Sequence, residues 1–476
     1  LGLSEVLVMT VFGISVDRKQ LLLLALDGLL ILLSMSLAHL LRLNQSVTPE
    51  NLALQLSART GASTFALLAH WAGLYVLECY NLSDDWSRPR NLLRPAVAAV
   101  GAGLLLAILY FLFPNWAFGR GLLVLQSGMV LLGTVALRLA LSQVVARTDQ
   151  GERLVIIGAG KSGRYLAQTL LEGCKGRVQV VAFLDMRPEK DGMSYFDIPV
   201  HAPRLGELHD QVKALNVNRV IITGSHGWDD QFISGLLDER VGGLQVESMA
   251  EAFKRLLGRV PVANVDTSFF LFGPGFVLNR NAVLRNLFRI IDIAVASLGL
   301  LLVGPVILLT ALVSLVAGGR PIMFAQERSG LNRRPFKLYK FRTMIKDAEK
   351  YSGPQWSQEN DPRVTAWGRF LRRTRLDELP QLWNVLRGDM SLVGPRPERE
   401  HFIEQLEKEI PFYNLRFAVR PGVTGWAQVN FGYGASVEDA KVKLEYELFY
   451  IQEMSLLLYL LVILKTLQTV LLHKGS

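Results

Sequence analysis

Residues Ile290–Ala317 read IIDIAVASLGLLLVGPVILLTALVSLVA, and this stretch decides the architecture, because its length suits a membrane helix while its centre and flanks resist a crossing. About 20 apolar residues span a hydrocarbon core, so length alone makes it a fifth span. Two features point the other way. Gly304-Pro305 lies near the middle, where proline removes a hydrogen bond and favours a kink. Both flanks are basic, with Arg285 and Arg289 before and Arg320 after, which the positive-inside tendency disfavours for a crossing. The second reading is therefore a re-entrant helix over 286–319 that bends at Pro305 and returns to the face it left.

Toward the N-terminus, four further apolar stretches, Leu21–Leu41, Ala62–Tyr80, Pro95–Phe113 and Gly121–Val144, predict a four-helix transmembrane bundle over residues 1–150. The first has neither a short apolar core nor a small-residue cleavage site, so it reads as an anchor. Arg18, Lys19, Arg88, Arg90, Arg94, Arg147 and Arg153 flank one side, against Arg42, Arg59 and Arg120 on the other. That bias puts both ends of the bundle in the cytoplasm. The composition agrees: 50% of residues are hydrophobic and the mean hydropathy is +0.27, although 20% are charged.

Residues 151–258 change to an α/β texture that predicts a Rossmann-like domain with a doubly wound parallel sheet. Leu154-Val155-Ile156-Ile157 is a buried strand, Gly158, Gly160 and Gly163 form GxGxxG at the start of a helix, and Val178–Leu184 is a strand ending at Asp185. Strand, glycine turn, helix and acidic residue in this order form the dinucleotide fingerprint. One reading places a nucleotide's pyrophosphate on the helix and its ribose on Asp185. The other is a retained fold whose glycines only permit the turn. A Walker A loop is excluded, since its first glycine would fall at Val155.

The two cysteines, Cys79 and Cys174, show no CxxC or ligand spacing, and the seven histidines form no HExxH. A disulfide framework is not implied, and the soluble parts suit a reducing cytoplasm. After a linker at 259–284, residues 285–476 are basic: from Asn279 onward there are 27 Lys and Arg against 19 Asp and Glu. Beside an apolar stretch, such a surface suits phosphates and anionic lipid rather than nucleic acid.

That region concentrates short motifs: Gln326-Glu327-Arg328-Ser329-Gly330, Lys340-Phe341-Arg342-Thr343-Met344, Asp361-Pro362-Arg363-Val364-Thr365, Leu376-Asp377-Glu378-Leu379-Pro380-Gln381, Gly394-Pro395-Arg396-Pro397-Glu398 and Arg420-Pro421-Gly422-Val423-Thr424-Gly425-Trp426. An acidic pair among cations has the parts for diphosphate chemistry. Cations offset the phosphates, one carboxylate attacks phosphorus, and its neighbour suits a Mg²⁺ ligand. Taken alone, Asp377 reads first as an N-cap and Glu378 as a first-turn residue of a helix Leu379–Leu386.

In combination and order, these motifs resemble the bacterial sugar transferase family, the polyprenyl-phosphate hexose-1-phosphate transferases, from about Asn279 to the C-terminus. The N-terminal spans and α/β domain are similar to its large members, the undecaprenyl-phosphate glucose and galactose phosphotransferases. Phe431-Gly432-Tyr433-Gly434-Ala435-Ser436 with Glu438-Asp439-Ala440 resembles the exopolysaccharide subgroup. The resemblance implies a monotopic α/β catalytic domain with a helix broken at Pro305 and an interfacial helix at Met454–Leu472. It implies that Asp377 attacks a UDP-sugar, releases UMP and passes the sugar phosphate to a polyprenyl phosphate, the first membrane step of exopolysaccharide or O-antigen synthesis.

It further implies Mg²⁺ through Glu378, substrate contacts from Arg328, Lys340, Arg342 and Arg363, and a uridine contact from Pro395, Arg396 and Pro397. The expected setting is the bacterial inner membrane, with the α/β and catalytic domains cytoplasmic and the chain a homodimer among membrane lipids. Two residues depart from the family pattern: Arg333 stands where glycine is common, and Arg375 replaces a small hydroxyl residue. A competing function is a membrane-tethered nucleotide-binding sensor or scaffold built on the α/β domain.

Overall fold

A computed structural model describes residues 8–11, 14–42, 48, 60–77, 79–80, 89–112, 120–148, 152–174, 178–202, 211–212, 214–217, 219–223, 230–241, 243–262, 269–270, 282–346, 348, 353, 361–432, 434 and 436–471. Arg59, Arg88, Tyr433, Ala435 and most of the linker lie outside them. The chain divides into two compact units, one of residues 1–11 and 15–151, the other of residues 12–14 and 152–476.

In the first unit, four helices form where the apolar stretches lie: α1 (Arg18–Arg42), α2 (Thr60–Val76), α3 (Pro89–Leu112) and α4 (Arg120–Thr148). Helices α1, α3 and α4 are long and apolar enough to cross a membrane. Helix α2, expected as a full span, ends at Val76; its 17 residues reach about 25 Å against a core of about 30 Å. Arg138 of α4 and Asp27 of α1 form a two-pronged pair at 2.6 and 2.7 Å, both buried, so these two charges match each other inside the apolar bundle.

The second unit begins with a six-stranded sheet. Its strands are β1 (Glu152–Ile157), β2 (Val178–Leu184), β3 (Ser194–Tyr195), β4 (Ile198–His201), β5 (Arg219–Ile222) and β6 (Gln245–Ser248), in the order β3-β4-β2-β1-β5-β6. All neighbours are parallel except β3 and β4. Helix α5 (Lys161–Gly173) follows the glycine turn, and α6 (Asp230–Val241) and α7 (Met249–Leu257) complete the layers. The central strand β1 is buried on both faces, as parallel strands between helices are.

The stretch that opened the reading is helical through Pro305, as part of α8 (Ala282–Gly318). Arg289 near its start donates to the Val385 and Leu386 carbonyls, Ser314 accepts from Trp367 Nε1, and Arg342 donates to the Gly318 and Gly319 carbonyls. Asp292 accepts from Ser391 Oγ, Leu392 N and Tyr459 Oη. Between these anchors the outer face is bare: Leu301, Leu302, Leu308 and Val316 are 75, 68, 72 and 83% exposed. A patch this apolar seeks lipid or protein rather than water.

Around α8 lie β7 (Met323–Ser329) antiparallel to β8 (Pro335–Phe341), α9 (Ala366–Arg373), α10 (Gln381–Arg387), β9 (Ser391–Val393) parallel to β10 (Gly422–Thr424), α11 (Glu400–Glu409), α12 (Trp426–Asn430), α13 (Val437–Gln452) and α14 (Leu456–Leu471). One core, including Leu338, Val385, Val393, Ile403, Leu448 and Tyr459, joins α8, β8, α10, β9, β10 and α11 to α14.

Candidate active site

The acidic pair lies in a 3₁₀ turn, Leu376–Glu378, between α9 and α10. Arg375 just before it has φ +59°, a left-handed conformation that costs a non-glycine residue on the order of 1 kcal/mol and turns the chain sharply. Arg333 likewise has φ +61°. Its side chain pairs with Glu400 and Glu407. The capping reading of Asp377 is corrected here. Pro380 is the N-cap of α10 and makes no side-chain cap bond, because the 3₁₀ turn separates the acidic pair from that helix.

Strand β8 brings Lys340 to the turn. Buried Asn384 of α10 accepts from Tyr339 N at 3.2 Å and donates to the Lys337 carbonyl at 2.7 Å. One amide thus acts as an extra strand and fixes the spacing between β8 and the acidic turn. From the other side comes the loop after β9. The backbones of Gly394 and Gly422 approach so closely that a Cβ on Gly422 would lie 2.1 Å from Gly394 N, so neither position tolerates a side chain.

Lys340 Nζ donates to Glu378 Oε1 at 2.9 Å, and Arg396 Nη2 donates to the same oxygen at 3.2 Å. Burial alone would raise the Glu378 pKa, but Lys340 and Arg396 hold it well below the carboxylate range. Asp377 goes the opposite way. It is 7% exposed and its Oδ1 has no hydrogen-bond partner. Burial, then the charge of Glu378, push it up to about 6 against the pull of Lys340, Arg372 and Arg375. Neighbouring carboxylates driven apart in this way take different roles.

The other candidates divide. Pro395 and Pro397 bracket Arg396. Arg328 donates to the Pro397 carbonyl at 3.2 Å and so braces the loop. Arg342 reaches the end of α8, and Arg363 forms a two-pronged pair with Asp361. Sequence reasoning missed Asn384, Arg416 and Glu447; only their buried polar contacts reveal them.

In the α/β domain, Gly163 is required, since a Cβ there would lie 1.8 Å from the Gly158 carbonyl oxygen. Asp185, expected to meet a ribose, is 4% exposed and accepts from Ala159 N, Arg187 and Lys190. Both of its oxygens are engaged within the chain.

Among the described residues no three His, Cys, Asp or Glu side chains gather to cage a metal. The acidic pair, with its unpartnered Oδ1, nonetheless fits Mg²⁺, which prefers one or two carboxylates completed by substrate phosphates.

An acidic pair among cations thus lies beside an apolar helix, and sequence comparison names a family for this part of the chain. Residues 283–473 match the Bacterial sugar transferase family. The chain is 38% identical over 230 residues, 47% of its length and 84% of the relative's, to a UDP-glucose:undecaprenyl-phosphate glucose-1-phosphate transferase of Caulobacter vibrioides. It is 45% identical over 188 residues, 40% of its length, to a UDP-N-acetylgalactosamine-undecaprenyl-phosphate N-acetylgalactosaminephosphotransferase of Aeromonas hydrophila, and 45% identical over 177 residues, 37% of its length, to a UDP-glucose:undecaprenyl-phosphate glucose-1-phosphate transferase of Escherichia coli K12. The matched segments cover 44 and 38% of those two relatives. The chain belongs to the bacterial sugar transferase family.

Proposed function

We propose that this chain moves a hexose-1-phosphate from a UDP-sugar to undecaprenyl phosphate, releasing UMP, as the first membrane step of exopolysaccharide or O-antigen synthesis. The observation that carries this reading is the contrast within the acidic pair: Glu378 is ionised and gripped by Lys340 and Arg396, while Asp377 is buried with an unpartnered oxygen. Asp377 attacks the sugar-bearing phosphorus, the bond to the bridging oxygen breaks, and UMP leaves with that oxygen. An oxygen of undecaprenyl phosphate then attacks the same phosphorus and frees the Asp377 carboxylate. Lys340 and Arg396 offset donor charge. Bound through Glu378 and donor oxygens, Mg²⁺ would neutralise diphosphate charge.

In this reading α8 is re-entrant, and the support is that both of its ends bond to the same short region, 342–386. That keeps the catalytic and α/β parts on one, cytoplasmic, face of the inner membrane. The α/β part is read as Rossmann-like on its strand order and glycine turn. The assembly is read as a homodimer. Cysteine labelling at Asn286 and Gly319 tests re-entry, with labels on opposite faces contradicting it.

The activity is tested by incubating the full chain in lipid with Mg²⁺, undecaprenyl phosphate and a panel of UDP-sugars. Release of UMP supports the reading. Release of UDP would mean ordinary glycosyl transfer and end it.

A further inference from the structure

The loop that carries Arg396 is held at every backbone carbonyl. Gly422 N donates to the Pro395 carbonyl at 2.8 Å, and Arg328 donates to that of Pro397 at 3.2 Å. The two prolines restrict φ and offer no N–H, which leaves the amide and carbonyl of Arg396 itself. Arg416 Nη2 donates to the Arg396 carbonyl at 2.8 Å. Arg416 and Glu447 also bond to each other at 2.8 Å, with side chains 5% exposed. Tyr413 Oη accepts from Arg416 Nη1, and the guanidinium lies 4.9 Å from the Tyr413 ring centroid.

A buried ion pair is a poor source of net stability, since desolvation consumes most of its attraction, and apolar replacements are often as stable. The fork geometry of arginine suits a different task, reaching several acceptors at fixed angles. Here those acceptors are one loop carbonyl, one tyrosine and one glutamate.

We propose that Arg416 and Glu447 are positioning residues for donor binding: Arg416, held by its pair with Glu447, clamps the Arg396 carbonyl so that the Arg396 guanidinium is preset at Glu378, where the donor's phosphates arrive. The inference rests on the transferase reading and deepens it. Neither residue touches the donor. Both act through Arg396, whose side chain is 42% exposed and swings away without a fixed backbone. Misplacement of a binding group by about 1 Å costs on the order of 100-fold.

The test uses the full chain in lipid nanodiscs with Mg²⁺, undecaprenyl phosphate and the UDP-sugar the wild type uses. Arg416→Met with Glu447→Met removes both charges and leaves no unpaired one. We expect the donor KM to rise about 10- to 100-fold with thermal unfolding nearly unchanged. Arg396→Met should produce a loss of similar size, and the triple variant should be no worse than Arg396→Met alone, because the clamp acts only through that residue. A folded double variant with wild-type donor KM, or a triple variant whose losses multiply, overturns the proposal. Should the double variant not fold, Arg416→Lys keeps the charge pair but not the fork: a donor KM raised about tenfold upholds the clamp, and an unchanged one overturns it. A wild type that releases no UMP removes the transferase reading and this inference together, whereas active clamp variants with wild-type donor KM remove this inference alone.

Discussion

Asp185 and Asp377 are both buried acids among cations, 4 and 7% exposed, yet they are solvated in opposite ways. Asp185 accepts from Ala159 N, Arg187 and Lys190; burial opposes its charge, but these donors hold its pKa far below the ordinary range. Asp377 has an oxygen with no partner and a pKa raised to about 6. Burial sets the cost of a carboxylate, and the donors around it decide whether it holds a turn together or stays free to react.

The largest expected effect breaks the comparison on the reactive side. Asp377→Asn should lower UMP release by at least about 10³-fold, since the attacking oxygen is lost, while Asp185→Asn should leave the rate within about twofold if its role is structural. Steady-state assays of both variants separate the two acids. A reversed order would favour the sensor reading, in which the α/β domain does the work.

Stability should show the opposite pattern. A folded-state pKa above the unfolded value of about 3.9 means that unfolding releases a proton between pH 4 and 6, so stability falls as pH rises through that window and stays lower above it. Asp377→Asn should therefore raise stability by up to about 3 kcal/mol above pH 6 and change little below pH 4. For Asp185 the folded pKa is depressed, so its contribution is present above about pH 4 and fades as pH falls through the folded value. Asp185→Asn should cost about 1–3 kcal/mol at pH 7 through weakened charge-assisted bonds. Thermal unfolding at pH 4 and pH 7.5 checks both signs.

Activity carries the same titration. Because attack requires ionised Asp377, single-turnover UMP release should fall as pH drops through about 6 and lower as Mg²⁺ stabilises the carboxylate. A profile flat from pH 5 to 8 at limiting Mg²⁺ would contradict that role.

The glycine turn separates a large effect from the smallest one. Gly163→Ala meets the Gly158 carbonyl oxygen at 1.8 Å and should cost more than about 3 kcal/mol. At Gly160 the nearest atom to an added Cβ is Arg187 Nη2 at 3.9 Å, so Gly160→Ala should shift stability by less than about 1 kcal/mol. A loss of nucleotide binding in folded Gly160→Ala, followed by calorimetry with NAD, would sharpen the ligand reading of that turn.

What the sequence made legible was local. The glycine turn follows β1, the strand Val178–Leu184 forms at those residues, and the apolar stretches become helices, because periodicity and turn chemistry act over a few residues. Helix α2 stops at Val76 although the apolar texture continues to Tyr80. The motifs gathered the right residue types, but not their geometry. Lys340 and Arg396 meet on one oxygen of Glu378, whereas Arg342 and Arg363 turn to other partners. The Arg416–Glu447 clamp was invisible: its members stand 31 residues apart, within unremarkable helical sequence, and only tertiary packing brings them to the loop.

The central claim is that Asp377 forms a covalent link to the sugar phosphate. Its most direct test mixes the full chain with Mg²⁺ and a UDP-sugar, without undecaprenyl phosphate, and follows UMP release together with the intact mass of the protein. We expect a burst approaching one equivalent of UMP per chain and a mass gain of one sugar phosphate, both absent from Asp377→Asn. UMP release that begins only when undecaprenyl phosphate is added, with no mass gain at any time, would contradict the account.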